Sequence, residues 1–484
     1  MIFKILLQCL FVSFVYSISQ HPILIIVSYD AFRHDFFETQ MVPYMEKLKK
    51  TGASVDYVKN VFPTKTFPNH HSIATGLLPD VHGIIGNTYY DRDLKKAMNM
   101  SYEMYHYNNN IVPIWRLNED MGEGRHSASM MWPGAAYAYQ NKNITHVQPY
   151  NTSIDWHERI DKVISWITHP THPANLVMVY FEEPDTHGHA YGPNSPVIMD
   201  LLQKLDNLTK YLDDKIKEHN LENTVNVIHL SDHGLTAVTP LEFVNVTQYL
   251  TQGTYITEGA SPCMQIIAKE GHLDEIYEKL SQASKKVGKF KILTKENFTQ
   301  YHYLTSRSPD ILVLANEGYA LDDMILAAPR YAAHYNFTLT NETEFGVHGY
   351  FSQLSKDMYP FFMARGPRFK QNYRKETVNT VDFFNLFSHV LGIEPTLNNG
   401  TWEHVEDFLV PASKSKYSLT SILVVTVGGV LITIVLVSVA AILTLIMIKR
   451  QQKKTTEAAL NKRFPQAFQS QYESEHLLQS EESS

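Results

Sequence analysis

Apolar residues along this chain gather into short continuous runs that alternate with stretches of helical spacing. Ile23-Leu-Ile-Ile-Val27, Leu176-Val-Met-Val-Tyr180, Val225-Asn-Val-Ile-His-Leu230 and Asp310-Ile-Leu-Val-Leu314 are aliphatic runs closed off by polar residues. Such runs predict strands covered on both faces. Val42 to Lys50, stopped by Gly52, and Ile198 to Glu218 space their apolar residues as helices do, and Val381 to Leu391 reads as a further helix. Strands alternating with helices predict an α/β fold with a mostly parallel central sheet and helices on both faces. The stretch from about 240 to 330 breaks the rhythm and is expected to form a small inserted lobe. No repeat of solenoid period is present.

Two longer apolar runs address a membrane. Ile5 to Tyr16 follows Lys4 and precedes the small residues Ser17 and Ser19, so residues 1–19 read as a secretory signal peptide. Residues 419–448 carry no charge and exceed the roughly 20 residues that cross a bilayer. Lys449, Arg450, Lys453 and Lys454 follow at once, which places that end in the cytoplasm. The expected layout is an extracellular catalytic domain at 22–405, a juxtamembrane linker at 406–418, one transmembrane helix at 419–448 and a cytoplasmic tail at 449–484, in a single-pass type I protein of the cell membrane. The polar residues after the span exclude a lipid-anchor signal. The tail is expected to be disordered. Its Glu473-Ser-Glu-His-Leu477-Leu478 segment fits an acidic di-leucine sorting signal and equally a chance match. Glycosylation acceptors at Asn99, Asn143, Asn151, Asn207, Asn245, Asn297, Asn336, Asn341 and Asn399 all precede the span.

Composition narrows the partners. The 484 residues are 44% hydrophobic with a formal net charge of -8, and no basic block lies in the body of the chain. A nucleic-acid polymer is therefore not an expected partner. The two cysteines are Cys9, inside the signal segment, and Cys263, read as buried.

Chemistry-bearing residues cluster at four places near strand ends or in loops: Asp30, Asp185 with His189, Asp232 with His233, and His348 between glycines. In open α/β sheets ligands bind beyond the carboxyl ends of the strands. Taken singly, Asp30 reads as readily as a helix N-cap and His348 as a surface-loop residue. Taken together, three carboxylates and three imidazoles can hold two zinc ions, the arrangement that clamps a phosphoryl displacement. Thr64-Lys65-Thr66 offers a hydroxyl nucleophile, and the chemistry alone does not choose between the two threonines.

The segments Ser28-Tyr-Asp-Ala-Phe-Arg33, Thr64-Lys-Thr-Phe-Pro-Asn-His70, Gly83-Ile-Ile-Gly-Asn87, Glu182-Glu-Pro-Asp185 through His189, Ser231-Asp-His-Gly234 and His348-Gly-Tyr350 together resemble the ectonucleotide pyrophosphatase/phosphodiesterase family over residues 22–400. The short ectodomain and single span look most like its members four and five. The resemblance implies an alkaline-phosphatase-like fold and hydrolysis of nucleotide phosphodiester or pyrophosphate bonds. It implies one zinc on Asp185, His189 and His348, and another on Asp30, Asp232, His233 and the Thr66 oxygen. It makes Thr66 the nucleophile, through a nucleotidyl-threonine intermediate, and gives Asn87 a phosphate oxygen to bind.

Phe67, Tyr150 and Tyr180 are candidates to hold a nucleobase, with core packing the competing role for Tyr180; Trp132 is read as architectural. The chain departs from the family where Ala31 stands in place of a usual glycine, and where Asn69-His70-His71 carries a histidine in place of a usual tyrosine. A lysophospholipid phosphodiesterase of the same fold, or a catalytically silent surface adhesion or receptor protein, are the alternative readings. No Cys-x-Pro-x-Arg segment is present, which disfavours a sulfatase.

Overall fold

A computed structural model describes residues 18–411 and 419–463. Within it the chain divides into two compact units, one ending at Val410 and one beginning at Pro411. The first is built on an eight-stranded sheet whose order is Tyr373–Asn379, Ala53–Lys59, Phe362–Arg365, Val225–Leu230, Ile23–Tyr29, Leu176–Phe181, Ser127–Met130, His146–Gln148. Every pairing is parallel except the two made by Phe362–Arg365, which runs against both neighbours.

The first strand shows why a continuous apolar run serves here. Successive side chains point to opposite faces. Ile23, Ile25 and Val27 therefore enter the core shared with the helices Pro43–Thr51, Trp156–Ile167 and Pro196–Glu218. Leu24 and Ile26 enter the core on the other face, with Ile73 and Ala74 of the helix Thr66–Thr75 and Phe383 to Leu391 of the last helix of this unit. All seven residues of the strand are buried, and its two polar side chains at the carboxyl end, Ser28 and Tyr29, are hydrogen-bonded to His70 and Thr209.

The expected inserted lobe is present. It is a four-stranded antiparallel sheet in the order Tyr255–Ala260, Cys263–Ala268, Ile311–Ala315, Phe290–Thr294, carrying the helices Leu273–Val287 and Asp322–His334. The run at 310–314 does form a strand, but as a central strand of this lobe and not of the main sheet. Its residues are covered on both faces there too, and periodicity does not distinguish the two settings.

Two boundaries are corrected. The fold continues past residue 405: Phe408 is buried beside Phe362 and Phe383, and Leu409 bridges to Phe369, so no free linker begins at 406. Among the described residues the second unit is one helix, Leu419–Arg463, which carries the apolar span and continues through 15 of the 36 residues expected to be disordered. Gln451 to Leu460 contains good helix formers and neither glycine nor proline. Its 45 residues measure about 68 Å, more than twice the ~30 Å hydrocarbon thickness. The segment Leu431–Ala459 is long and apolar enough to cross a membrane. The signal segment up to residue 17, with Cys9, and the di-leucine segment lie outside the described residues.

Candidate active site

The strands Val225–Leu230, Ile23–Tyr29 and Leu176–Phe181 are adjacent and parallel, so their carboxyl ends open at one place. Asp30 directly follows the central one, Asp232 and His233 follow its neighbour, and Asp185 starts the short helix Asp185–Tyr191 after the third. His189 lies one turn along that helix, its Nε2 3.3 Å from an Asp185 oxygen. His348 follows the short strand Phe345–Val347, which pairs with Thr236–Val238 and folds over the site. This strand and the Asp185 helix approach closely because Gly188 and Gly346 both lack side chains. A Cβ at Gly346 would stand 2.5 Å from the Gly188 carbonyl oxygen. The His348 ring then stacks on His233 with centroids 3.7 Å apart.

The three imidazoles are oriented alike. Nδ1 of His189, His233 and His348 donates to the carbonyl oxygens of Gly346, Gly234 and Thr64, at 2.8, 2.9 and 2.9 Å. With the proton on Nδ1, each Nε2 presents a lone pair to the carboxylates. His233 Nε2 lies 3.3 Å from Asp30 Oδ1 and 3.1 Å from Asp232 Oδ2; His348 Nε2 lies 3.5 Å from Asp185 Oδ1. Asp30 Oδ1, Asp185 Oδ1 and Asp232 Oδ2 are buried and lack a hydrogen-bond partner among the described residues. Burial and the neighbouring carboxylates of Asp232 and Asp185 push the Asp30 carboxyl well above the usual range. Burial acts the same way on Asp232, but His233 and His70 outweigh it and hold it at about 2.

Converging lone pairs without protons between them cost free energy unless a cation sits among them. Oxygen and imidazole nitrogen without thiolate are a donor set that suits zinc. Two groups have the required closeness, Asp185 with His189 and His348, and Asp30 with Asp185 and His233. The residues present therefore fit a metal site. Asp185 stands in both groups, and Asp232 borders the second through His233.

The two threonines diverge. Thr64 donates its hydroxyl to the Tyr350 carbonyl at 2.9 Å. Thr66 begins the helix Thr66–Thr75; its Oγ lies 3.3 Å from His233 Nε2 and accepts from Asn87 Nδ2 at 3.2 Å. Asn87 Oδ1 in turn accepts the Phe67 N–H at 2.9 Å, which fixes the Asn87 side chain against the start of that helix.

Three supporting contacts escaped the sequence reading. His70 stands one helical turn after Thr66, with Nδ1 2.9 Å from the Thr66 carbonyl oxygen and 3.3 Å from Asp232 Oδ2, and Nε2 2.9 Å from the Ser28 hydroxyl. The four-residue spacing from Thr66 was the available signal. Arg159, fully buried, grips Glu182 with two hydrogen bonds of 2.6 and 3.0 Å and so anchors the loop that leads to Asp185. Tyr180 is buried, and its hydroxyl donates to Asp30 Oδ2 at 2.6 Å. His187, on the same short helix as His189, pairs with Glu183 at 2.6 Å.

The remaining candidates are placed as follows. Tyr150 is 53% exposed, with its ring 6.4 Å from that of Tyr180. Phe67 is half-buried beside Tyr105. Trp132 is buried against His70, an architectural place. Cys263 is buried and free, and burial pushes its thiol up to about 12. Ala31 takes a φ of 59°, left-handed backbone that explains why glycine is usual there. His71 is a buried imidazole between His82 and Tyr105, its nitrogens without hydrogen-bond partners among the described residues; burial drives its pKa down to about 3, which keeps it neutral.

Residues 24–351 match a family model described as type I phosphodiesterase/nucleotide pyrophosphatase. The chain is 34% identical over 421 residues to ectonucleotide pyrophosphatase/phosphodiesterase family member 5 of Homo sapiens, covering 84% of this chain and 82% of that one. It is 34% identical over 400 residues to the bis(5'-adenosyl)-triphosphatase of Homo sapiens, covering 81% and 83%. Among solved structures it is similar to murine ectonucleotide pyrophosphatase/phosphodiesterase 5 in an inactive threonine-to-alanine form in complex with AMP. That match has a TM-score of 0.72 at 32% identity and covers 81% of this chain and all of that one.

Proposed function

The chain belongs to the ectonucleotide pyrophosphatase/phosphodiesterase family of hydrolases, and from that premise we propose that it is an extracellular zinc enzyme that cleaves nucleotide phosphodiester or pyrophosphate bonds through a nucleotidyl-threonine. The observation that carries this reading is the Thr66 hydroxyl, held between Asn87 and His233 at the edge of the carboxylate–imidazole groups. Asp185, His189 and His348 would hold one zinc ion, and Asp30, Asp232, His233 and Thr66 the other; two such ions would supply Lewis-acid chemistry that eases deprotonation of the Thr66 hydroxyl and offsets phosphoryl charge.

Thr66 Oγ attacks phosphorus, the bond to the leaving oxygen breaks, and the nucleotidyl group rests on Thr66 until water releases it. Asn87 Nδ2 donates to a non-bridging oxygen as charge develops. Tyr180 holds the Asp30 carboxylate in place, while Phe67 and Tyr150 flank the base. The inactive threonine-to-alanine form of the murine relative and its AMP ligand are in keeping with both roles.

The reading keeps a signal peptide at 1–19, of which residues 1–17 lie outside the described residues. The helix beginning at Leu419 anchors the protein, with Lys449 to Lys454 on the cytoplasmic side. Eight of the nine acceptor asparagines are exposed, as glycan carriers must be; Asn297 is half-buried and engaged with Thr294. Protease applied to intact cells should shave the catalytic domain and spare a C-terminal tag; its protection would invert the topology.

The nucleophile is tested by acid-quenching the enzyme with a labelled nucleotide substrate. Label should map to Thr66. Thr66→Ala should lower turnover by about four orders of magnitude or more while metal content stays largely intact, as when other enzymes lose a nucleophile. Thr66→Ser should keep part of the activity, and Thr64→Ala most of it. Label on Thr64, or near-normal turnover by Thr66→Ala, overturns the assignment. Hydrolysis of lysophosphatidylcholine in preference to nucleotides would overturn the substrate class.

A further inference from the structure

The strands Ala53–Lys59 and Tyr373–Asn379 are parallel neighbours at one margin of the main sheet, with Lys59 opposite Asn379. The strand Phe362–Arg365 separates this margin from Val225–Leu230, the strand that leads to Asp232. Beyond the carboxyl ends of the two marginal strands lies a cavity of about 220 Å³. Residues that follow each strand line it, together with Tyr301 of the inserted lobe. The carboxyl ends of parallel strands are where ligands collect in such sheets.

One part of the wall is aromatic. Phe351 packs against Phe62 and against Tyr301, with ring centroids 4.1 Å apart in both pairs, and the half-buried Tyr301 lines the cavity. Another part is polar and unpaired. Asn60 donates through Nδ2 to the carbonyl oxygens of Asp232 and Met358, at 3.2 and 2.9 Å. Its Oδ1 is buried and has no hydrogen-bond partner among the described residues, and the Thr380 hydroxyl is in the same state. Asn60 and Thr380 are only 7% and 1% exposed, and both line the cavity. Buried polar oxygens without partners are rare, because their lost hydration is not made good.

Charge narrows the occupant. No carboxylate is among the described residues lining the cavity, so a cationic ligand finds no counter-ion there. Its one lysine, Lys59, is exposed and offers no buried charge to a phosphate. The volume exceeds the roughly 150 Å³ of an apolar cavity that takes up benzene. The Asn60 carbonyl oxygen can only accept, so the ligand must bring an N–H or O–H; the Thr380 hydroxyl can donate or accept.

We propose that this cavity is a second binding site, for an uncharged heteroaromatic ring that carries an amino group, a free nucleobase being the simplest case. The ring packs on Tyr301, its amino group donates to Asn60 Oδ1, and a ring nitrogen accepts from Thr380. Because Asn60 also holds the Asp232 carbonyl, the occupant sits one side chain away from the backbone of a candidate metal ligand.

Equilibrium dialysis of radiolabelled adenine against the full-length protein in detergent tests this. The wild type should bind adenine saturably. Thr380→Val keeps the shape of the side chain and removes a hydroxyl that has no partner in the protein, and it should weaken binding about fivefold, the scale of one hydrogen bond. Should that variant fail to fold, Tyr301→Ala must weaken binding by about tenfold, the scale of one stacking surface. Tyr150→Ala should leave the affinity unchanged. Absence of saturable binding in the wild type, or an unmoved affinity in the folded cavity variant, overturns the proposal. A loss confined to Tyr150→Ala also overturns it, by placing adenine at the candidate active site.

Discussion

Asp30, Asp232, His233 and His348 are buried and oriented from several directions, whereas Phe67 is half-buried and Tyr150 is 53% exposed. Every imidazole of the first set is pinned by a backbone carbonyl, and Asp30 by Tyr180. The Tyr150 ring has no neighbour closer than the Tyr180 ring at 6.4 Å among its ring contacts. The buried half grows from strand ends of a sheet whose core is closed on both faces. Of the half proposed to face substrate, Phe67 is the second residue of the helix Thr66–Thr75 and Tyr150 lies in the loop after His146–Gln148, where a side chain can change without disturbing that sheet. The two halves should therefore fail differently: the first in turnover and metal retention, the second in substrate affinity.

The sharpest way to break this contrast is Asn87→Ala. Asn87 touches both halves, since it donates to Thr66 and accepts from the Phe67 backbone. If it acts as an oxyanion donor, kcat should fall about 100- to 1,000-fold with little change in KM. Steady-state kinetics on a nucleotide ester reads this directly, and a change confined to KM would move Asn87 into the substrate-facing half.

Tyr150→Ala should have a smaller effect of the opposite kind. Loss of one exposed stacking surface should raise KM about five- to tenfold at nearly constant kcat, the lower end of what base stacking contributes. A matching fall in kcat would mean that Tyr150 helps hold the chemistry, for instance through the neighbouring Tyr180.

The smallest expected effect concerns Ala31, where a left-handed backbone is imposed on a residue with a Cβ. Its N–H donates to Asp232 Oδ1 at 3.2 Å, so the conformation serves the site and is not free to relax. Ala31→Gly removes the left-handed penalty, and the greater chain entropy of glycine offsets part of that gain. The net stabilisation should be no more than about 1 kcal/mol, read as a rise in Tm of about one or two degrees. A fall in Tm would mean that the Ala31 methyl packing outweighs the strain.

The position of Asp30, Asp232 and His233 was legible before any coordinates, because each follows a run of buried aliphatics and parallel strands open their carboxyl ends to one side. His70 and Arg159 were not legible. Both act through contacts with residues from other elements, Ser28 and Asp232 for the one and Glu182 for the other, and a lone buried histidine or arginine carries no such information in its own neighbourhood. The strand at Ile311–Ala315 was found, but which sheet it joins was not legible for the same reason. A strand covered on both faces looks alike wherever the cover comes from.

The sequence by itself determined the alternation of strands and helices, the apolar span from Leu419, and the inventory of carboxylates, imidazoles and hydroxyls, because these follow from local periodicity and side-chain chemistry. Only the tertiary structure decided which threonine faces His233, which nitrogen each imidazole presents, and that Tyr180 serves Asp30. It also placed Asn60 and Thr380 in the wall of one cavity. These are facts of direction and distance between residues up to about 300 positions apart in the chain, as with Thr64 and His348. They are fixed by the parallel register of the sheet, by the close approach of Gly188 and Gly346, and by the packing of the lobe, none of which a linear pattern encodes.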